Sequence, residues 1–475
     1  MSGTIAILSG DMVEDSSDLV WLLHVRSPEP VLYELTMPPT HLPGTLHSGD
    51  PVVVVGTRSG PDTIKVQTVT TVTQQTATMV VPRMLTTDVG MTAADVTATP
   101  ADAVAQLAAA TAAAAAAAAA AANAAGKKPQ GDVWTAAAVA AAAASRVNNT
   151  RMVGDMPVLF MIVGICNSPP ATSVQELERV LFGGPGSASL TLEGYYDECS
   201  RGRTAMNRAN SMVVDGINLP CAFNGSYKYA AGSCLYRDAW GWHTLAQSTL
   251  LAARPGLDLG RFRHRVLVLP RGYTYEAGCP WIGLGTLGPV EKAADGSYIS
   301  SMAWIQGETA NSVMAFMHEL GHNLYLHHAN DSFGCEYCDW SSVMGGCCAV
   351  RCHNAPHNWQ LGWGAPLAVL NSATLPAGVT LFFDLPSQHT SDVSVIWVQP
   401  DWLPAGRRDG SAALPVSYYL SYRIDSGKYD SDIPDVFLYA TSVYFWDGLT
   451  QTTVRRTRYM ASVFTGCLTY AAATA

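Results

Sequence analysis

No cysteine occurs before Cys166, although the chain of 475 residues carries 11. The N-terminal third therefore has no thiolate to offer a metal and no disulfide to staple it. Charge is scarce at 14% of residues, and the formal net charge is −10. Phosphate backbones are bound through clustered Lys and Arg, so a nucleic-acid partner is not expected. Met1-Ser2-Gly3-Thr4 has no basic region followed by an apolar run, so no secretory leader is read there. The alanine-rich stretch Ala103 to Gly126 also lacks Leu/Ile/Val density. It is uncharged and long enough to cross a bilayer. It is built of weakly apolar alanine, however, and Gln106, Thr111 and Asn123 interrupt it. A membrane span is not expected. No EF-hand loop is present, so calcium is compatible with the acidic balance but has no motif behind it.

What is present is concentrated in one stretch, His318-Glu319-Leu320-Gly321-His322-Asn323-Leu324-Tyr325-Leu326-His327-His328. On a helix, His318 and His322 are about one turn apart and leave the same face. The H-E-x-x-H spacing lets two imidazoles bind one zinc ion while Glu319 acts as general base. A catalytic zinc site takes three protein ligands and keeps one position open. His328, six residues past His322, fits the third ligand by its spacing, and His327 competes for the role. One helix cannot present all three, so the backbone must turn between His322 and His328. This layout, with a later Met-turn, is the metzincin pattern. Ser341-Ser342-Val343-Met344-Gly345-Gly346 supplies the turn, with Met344 as a packing floor and not a ligand. The turn residue of the pattern is usually glycine, and here it is Tyr325. A bulky residue at positive φ would cost about 1–2 kcal/mol.

At this length two or three domains are expected. Residues 1–100 read as a β-rich N-terminal domain, with strands at Leu19–Val25, Val52–Gly56 and the alternating Ile64–Val69. A pro-domain covering the cleft is the favoured role, an accessory β-domain the alternative. Latency without a thiolate would need steric cover or a carboxylate. Residues 101–150 are an alanine-rich linker, where proteolytic processing tends to fall. Residues 151–368 form the catalytic domain. Buried strands are expected at Pro157–Gly164 and Arg265–Pro270, and helices at Ser173–Phe182, Gly194–Ser200 and Ala239–Ala253. The active-site helix is expected from about Thr309 to Leu324. Residues 369–475 read as a β-rich C-terminal module, with strands at Val393–Val398 and Ser417–Arg423. The fold class is α+β: a mixed twisted sheet with an active-site helix and Met-turn, flanked by β-rich segments.

Cys335, Cys338, Cys347, Cys348 and Cys352 crowd near the motif. Cys335-x-x-Cys338 could open a structural zinc site. Disulfides in an oxidising compartment are preferred. Sequons at Asn148, Asn224 and Asn330 are compatible with secretion, and a start further upstream would reconcile that with the missing leader. His353 and His357 are expected to pack under the Met-turn and not to bind metal.

The chain resembles the gametolysin family of metzincin-like metalloproteases. The resemblance is carried by His318-Glu319-Leu320-Gly321-His322, His328, Met344, the stretch Asn354 to Trp363, and Tyr418-Tyr419-Leu420-Ser421-Tyr422-Arg423. It implies an extracellular zinc endopeptidase with one catalytic Zn2+, made with a pro-segment. Its protein substrate would be a proline- and hydroxyproline-rich glycoprotein of cell wall or matrix. By position it implies His318, His322 and His328 as ligands and Glu319 as base. A catalytically inactive structural or adhesion protein of the matrix is the alternative. Nothing in the sequence sets the oligomeric state.

Overall fold

The computed structural model describes residues 1–12, 20–25, 31–36, 48–71 apart from 61, and 153–463 apart from 185–188, 226, 231, 277–278, 280, 293–297, 332–335, 346–349, 377–380, 382, 400–415, 425–427, 431–435 and 448–451. The expected linker, and with it the alanine tract, lies outside the described residues.

The N-terminal strands are β1 (Ser2–Met12), β2 (Val20–Val25), β3 (Val31–Thr36), β4 (Pro51–Arg58) and β5 (Thr63–Thr71). They close into a ring in the order β1-β2-β3-β5-β4, with β4 returning to β1. Ile5, Ile7, Leu23, Leu35, Val52, Val54, Ile64 and Val66 fill it. Alternation along Val52–Val55 and Ile64–Val66 puts every second side chain inside, as a half-buried strand requires.

After a short ladder of β6 (Gly154–Asp155), the chain enters β7 (Val158–Ile165), α1 (Val174–Phe182), α2 (Leu192–Ser200), β8 (Thr204–Ala205), which pairs β6, and β9 (Met212–Leu219). Then come α3 (Tyr236–Ala253), β10 (His264–Val268), α4 (Tyr273–Glu276), β11 (Trp281–Thr286), β12 (Glu291–Lys292) and β13 (Tyr298–Ile305). The strand order β9-β7-β10-β13-β11 joins four parallel strands to one antiparallel strand, β11. β7 and the Val266–Val268 part of β10 are apolar because both sheet faces are covered, as buried parallel strands demand. Phe160, Ile162, Val266, Val268 and Ile305 face α1, α2 and the active-site helix. Leu159, Met161, Leu267 and Trp304 face α3 through Trp242, Ala246 and Leu250. The start of α1 carries a capping box, in which Glu176 N–H donates to Ser173 Oγ and Ser173 N–H to Glu176 Oε2.

β1 does not stop at its own ring. Its last residues run antiparallel along β11, with Leu8 opposite Thr286, Ser9 opposite Gly285 and Gly10 opposite Leu284. One sheet therefore continues from the N-terminal strands into the helix-covered body.

The active-site helix, α5 (Val313–Asn323), starts later than the sequence reading placed it, because Gly307–Thr309 forms a separate 3-10 turn. It lies against β11 and β13. Beyond it come β14 (Ala329–Asp331), α6 (Ala355–Leu361), β15 (Ala365–Leu370), β16 (Val393–Val398), β17 (Val416–Tyr422), β18 (Val436–Asp447) and β19 (Thr452–Val463). These strands make a second sheet in the order β14-β19-β18-β17-β16-β15. β14 and β15 tie it to the segment that carries the motif. The whole is a mixed α/β structure with a β-rich body.

Candidate metal centre

His318 and His322 project from one face of α5 and are buried, as is His328 beyond the helix. The three ring centroids are 4.9, 5.3 and 4.8 Å apart, and one ligand atom from each lies within 4.8 Å of the others. Among the described residues this is the one such cluster. His327 is buried too, but stands outside it.

The opposite edge of each ring fixes which nitrogen faces the common point. His318 Nδ1 approaches the Val343 carbonyl at 2.8 Å and His322 Nδ1 the Leu326 carbonyl at 2.7 Å. His328 Nδ1 approaches Glu336 Oε1 at 2.5 Å. Carbonyl and carboxylate oxygens only accept, so each Nδ1 carries the proton and each Nε2 presents its lone pair. With Nδ1 of each ring taken up by an acceptor, the three Nε2 atoms are a donor set that fits a divalent metal such as zinc.

The turn between helix and third histidine is built at Tyr325, which adopts φ of 67°, the left-handed conformation glycine would take. Tyr325 N–H donates to the His322 carbonyl and Leu326 N–H to the Gly321 carbonyl, closing the helix end. Gln360 Nε2 donates to the Tyr325 carbonyl. The ring is buried against Gly288, where a Cβ would overlap it.

Two more glycines make room for the centre. A Cβ on Gly283 of β11 would overlap the Glu319 carboxylate, and one on Gly285 would come within 2.7 Å of His322 Cβ. A Cβ on Gly321 would overlap Met344 Sδ, so the glycine inside H-E-L-G-H lets α5 rest on the Met-turn. Met344 is fully buried. Asn323 Nδ2 donates to the Thr286 and Met302 carbonyls, pinning the helix end to β11 and β13.

His353 and His357 are buried near this floor and join no metal cluster among the described residues. Burial holds the His353 imidazole well below its ordinary pKa and pushes His357 down to about 3, so both are neutral. The crowded cysteines resolve in part. Cys352 is bonded to Cys199, Cys338 is in a disulfide, and Cys166–Cys221 and Cys234–Cys279 are two further bridges.

Sequence reasoning missed Glu336, Gly283, Gly285 and the buried ion pair Arg423–Asp430. The Gly-Leu-Gly of β11 was the one signal for the glycines: alternate positions without side chains mark a close approach to that strand face.

A model of the gametolysin peptidase M11 family matches residues 156–460. Autolysin of Chlamydomonas reinhardtii is 24% identical over 353 residues, which is 59% of this chain and 53% of that protein. The chain thus spans about half the length of this curated relative. The family match covers strands β7 to β13 of the first sheet, the motif helix, the Met-turn and most of the second sheet, and on it the chain belongs to the gametolysin family of metallopeptidases.

Proposed function

We propose that the chain is a zinc-dependent endopeptidase of metzincin type, with His318, His322 and His328 as ligands, Glu319 as general base and Met344 as the floor. The observation that carries this reading is the convergence of three histidine donor atoms within 4.8 Å, one residue from a buried glutamate. Bound there, zinc would supply a Lewis acid that polarises the scissile carbonyl and draws the pKa of water down toward about 7. Glu319 takes a proton from the attacking water and returns it to the leaving amine, acting as base and then acid. Its carboxylate lies between α5 and the glycines of β11, which leave it room there. Tyr325 takes the left-handed conformation expected of glycine, which supports an intact turn before His328.

The test joins metal analysis to peptide hydrolysis. Purified protein should contain one zinc per chain, lose activity to a chelator and regain it with Zn2+. Glu319→Gln should keep the zinc and lose hydrolysis. Wild-type hydrolysis by that variant would refute the assigned base.

The proposed substrates are proline- and hydroxyproline-rich glycoproteins of cell wall or matrix, and the compartment is extracellular, as the disulfide bridges favour. Residues 1–100 are proposed as a pro-domain, 101–150 as the linker cut on activation, 151–368 as the catalytic domain and 369–475 as the C-terminal module. The pairing of β1 with β11 supports the first of these, since β11 is the strand that backs Glu319. Cutting the linker and separating the pieces should raise activity, and adding the N-terminal piece back should lower it.

A further inference from the structure

We infer that Glu336 is the positioning residue of the third ligand, its carboxylate completing an acid–imidazole–metal relay through His328. The inference rests on the metal centre proposed above and adds a residue to it.

The three histidines are not held alike. His318 and His322 stand on α5, so the helix fixes their backbones, and neutral carbonyls suffice to orient their rings. His328 has no helix beneath it. It follows the left-handed turn at Tyr325 and precedes β14 by one residue. Its orientation must come from what touches the ring. One such contact is Glu336 Oε1 on Nδ1 at 2.5 Å, and another is the Tyr337 ring, whose centroid is 4.2 Å away and tilted by 45°. The two adjacent residues thus hold both the edge and the face of the imidazole.

The charge is the second observation. Glu336 is buried, with its side chain 10% exposed. Its Oε2 accepts no hydrogen bond among the described residues. A buried carboxylate is costly unless a cation compensates it. A divalent ion held by His328 would be that cation, reached through one ring. An anion behind a ligating imidazole fixes its tautomer and raises its basicity, and loss of such a group typically costs 10–100-fold in metal affinity.

The test is performed on the full chain with Zn2+, its affinity measured by competition with a chelating dye. Glu336→Ala should bind Zn2+ about 10–100-fold more weakly than wild type. Glu336→Gln keeps an acceptor without the charge and should fall between them. In a long-range 1H–15N spectrum of the metal-free protein, His328 should show its proton on Nδ1 in the wild type and lose that preference in Glu336→Ala. Wild-type Zn2+ affinity in Glu336→Ala, with a native circular dichroism spectrum, overturns the inference. Should Glu336→Ala fail to fold, wild-type affinity in Glu336→Gln overturns it equally. Equal Zn2+ binding by all three proteins sinks the role of Glu336 alone, whereas absence of Zn2+ binding by the wild type sinks the metal centre with it.

Discussion

Replacing Tyr325 by glycine restores the residue the motif normally carries, yet the structure predicts a less stable protein. The gain is relief of the left-handed backbone, about 1–2 kcal/mol. Two losses oppose it. Glycine adds about 0.5–1 kcal/mol of chain entropy to the unfolded state. The buried phenol ring is also removed, and a ring that buries about 150–250 Å² at about 25 cal/mol per Å² contributes roughly 4–6 kcal/mol. That figure is an upper bound, because the unfolded chain already shields some of the ring. The net expectation is a loss of about 3 kcal/mol, or roughly 6–12 °C in melting temperature for a domain of this size. Thermal unfolding should be followed with chelator present in every sample, so that metal binding does not mask the difference. Gly288 supplies the decisive control. Gly288→Ala places a methyl into the Tyr325 ring and also meets a φ of 78°. Only the backbone penalty survives once the ring is gone. The cost of Gly288→Ala should therefore be about 1–3 kcal/mol smaller in the Tyr325→Gly background. Higher stability of Tyr325→Gly, or an identical cost of Gly288→Ala in both backgrounds, would refute the claim that ring packing holds this turn.

Gly283→Ala should leave zinc content unchanged but lower peptide hydrolysis about 100-fold, because its Cβ displaces the Glu319 carboxylate; wild-type turnover would show that the base tolerates the shift. Asp430→Ala strands the fully buried Arg423 guanidinium and should destabilise by about 3–5 kcal/mol in denaturant titration, while the double replacement Arg423→Met, Asp430→Leu should recover most of it. His243 and His264 are buried, and burial pushes them down to about 4 and about 3. The unfolded chain protonates both near pH 6.5, so their contribution is complete above that pH. It is lost as pH falls toward the folded values, by about 1.4 kcal/mol per pH unit for each. Equal denaturant midpoints at about pH 7 and about pH 5 would contradict this.

The periodic elements were legible because local pattern decides them. Ser173 with Glu176 fixes the start of α1, and the unbroken apolar run of β7 announces a strand covered on both faces. The spacing of His318, His322 and His328 was legible for the same reason, since one helical turn and one reversal dictate it. β1 was not foreseen. Its pattern Ile5-Ala6-Ile7-Leu8 is short, and its pairing with β11 joins residues far apart in the chain. Glu336 was hidden because nothing in its neighbourhood repeats. A carboxylate eight residues beyond His328 gains meaning only when the loop folds back.

The C-terminal segment shows why a motif is not a site. Met344 supports α5 only if the chain on either side of it is held. Arg423, just past β17, donates to the Ser341 carbonyl, three residues before Met344. It also pairs with Asp430, which accepts from Cys352 N–H at 3.1 Å. Cys352 is bonded to Cys199 at the end of α2, and Tyr429 hydroxyl bridges Thr191 at the start of that helix, donating to its carbonyl at 2.8 Å. The Met-turn is thus clamped between α2 and the residues Arg423, Tyr429 and Asp430, which sequence reading had assigned to a separate module. An isolated 151–368 segment would lose Arg423, Asp430 and Tyr429 together, leaving the Ser341 carbonyl and Cys352 N–H buried without these partners. Each such orphaned group costs about 1–3 kcal/mol. The floor of the centre should therefore loosen in that truncation even with His318, His322 and His328 all present, and zinc affinity should fall although no ligand has been removed.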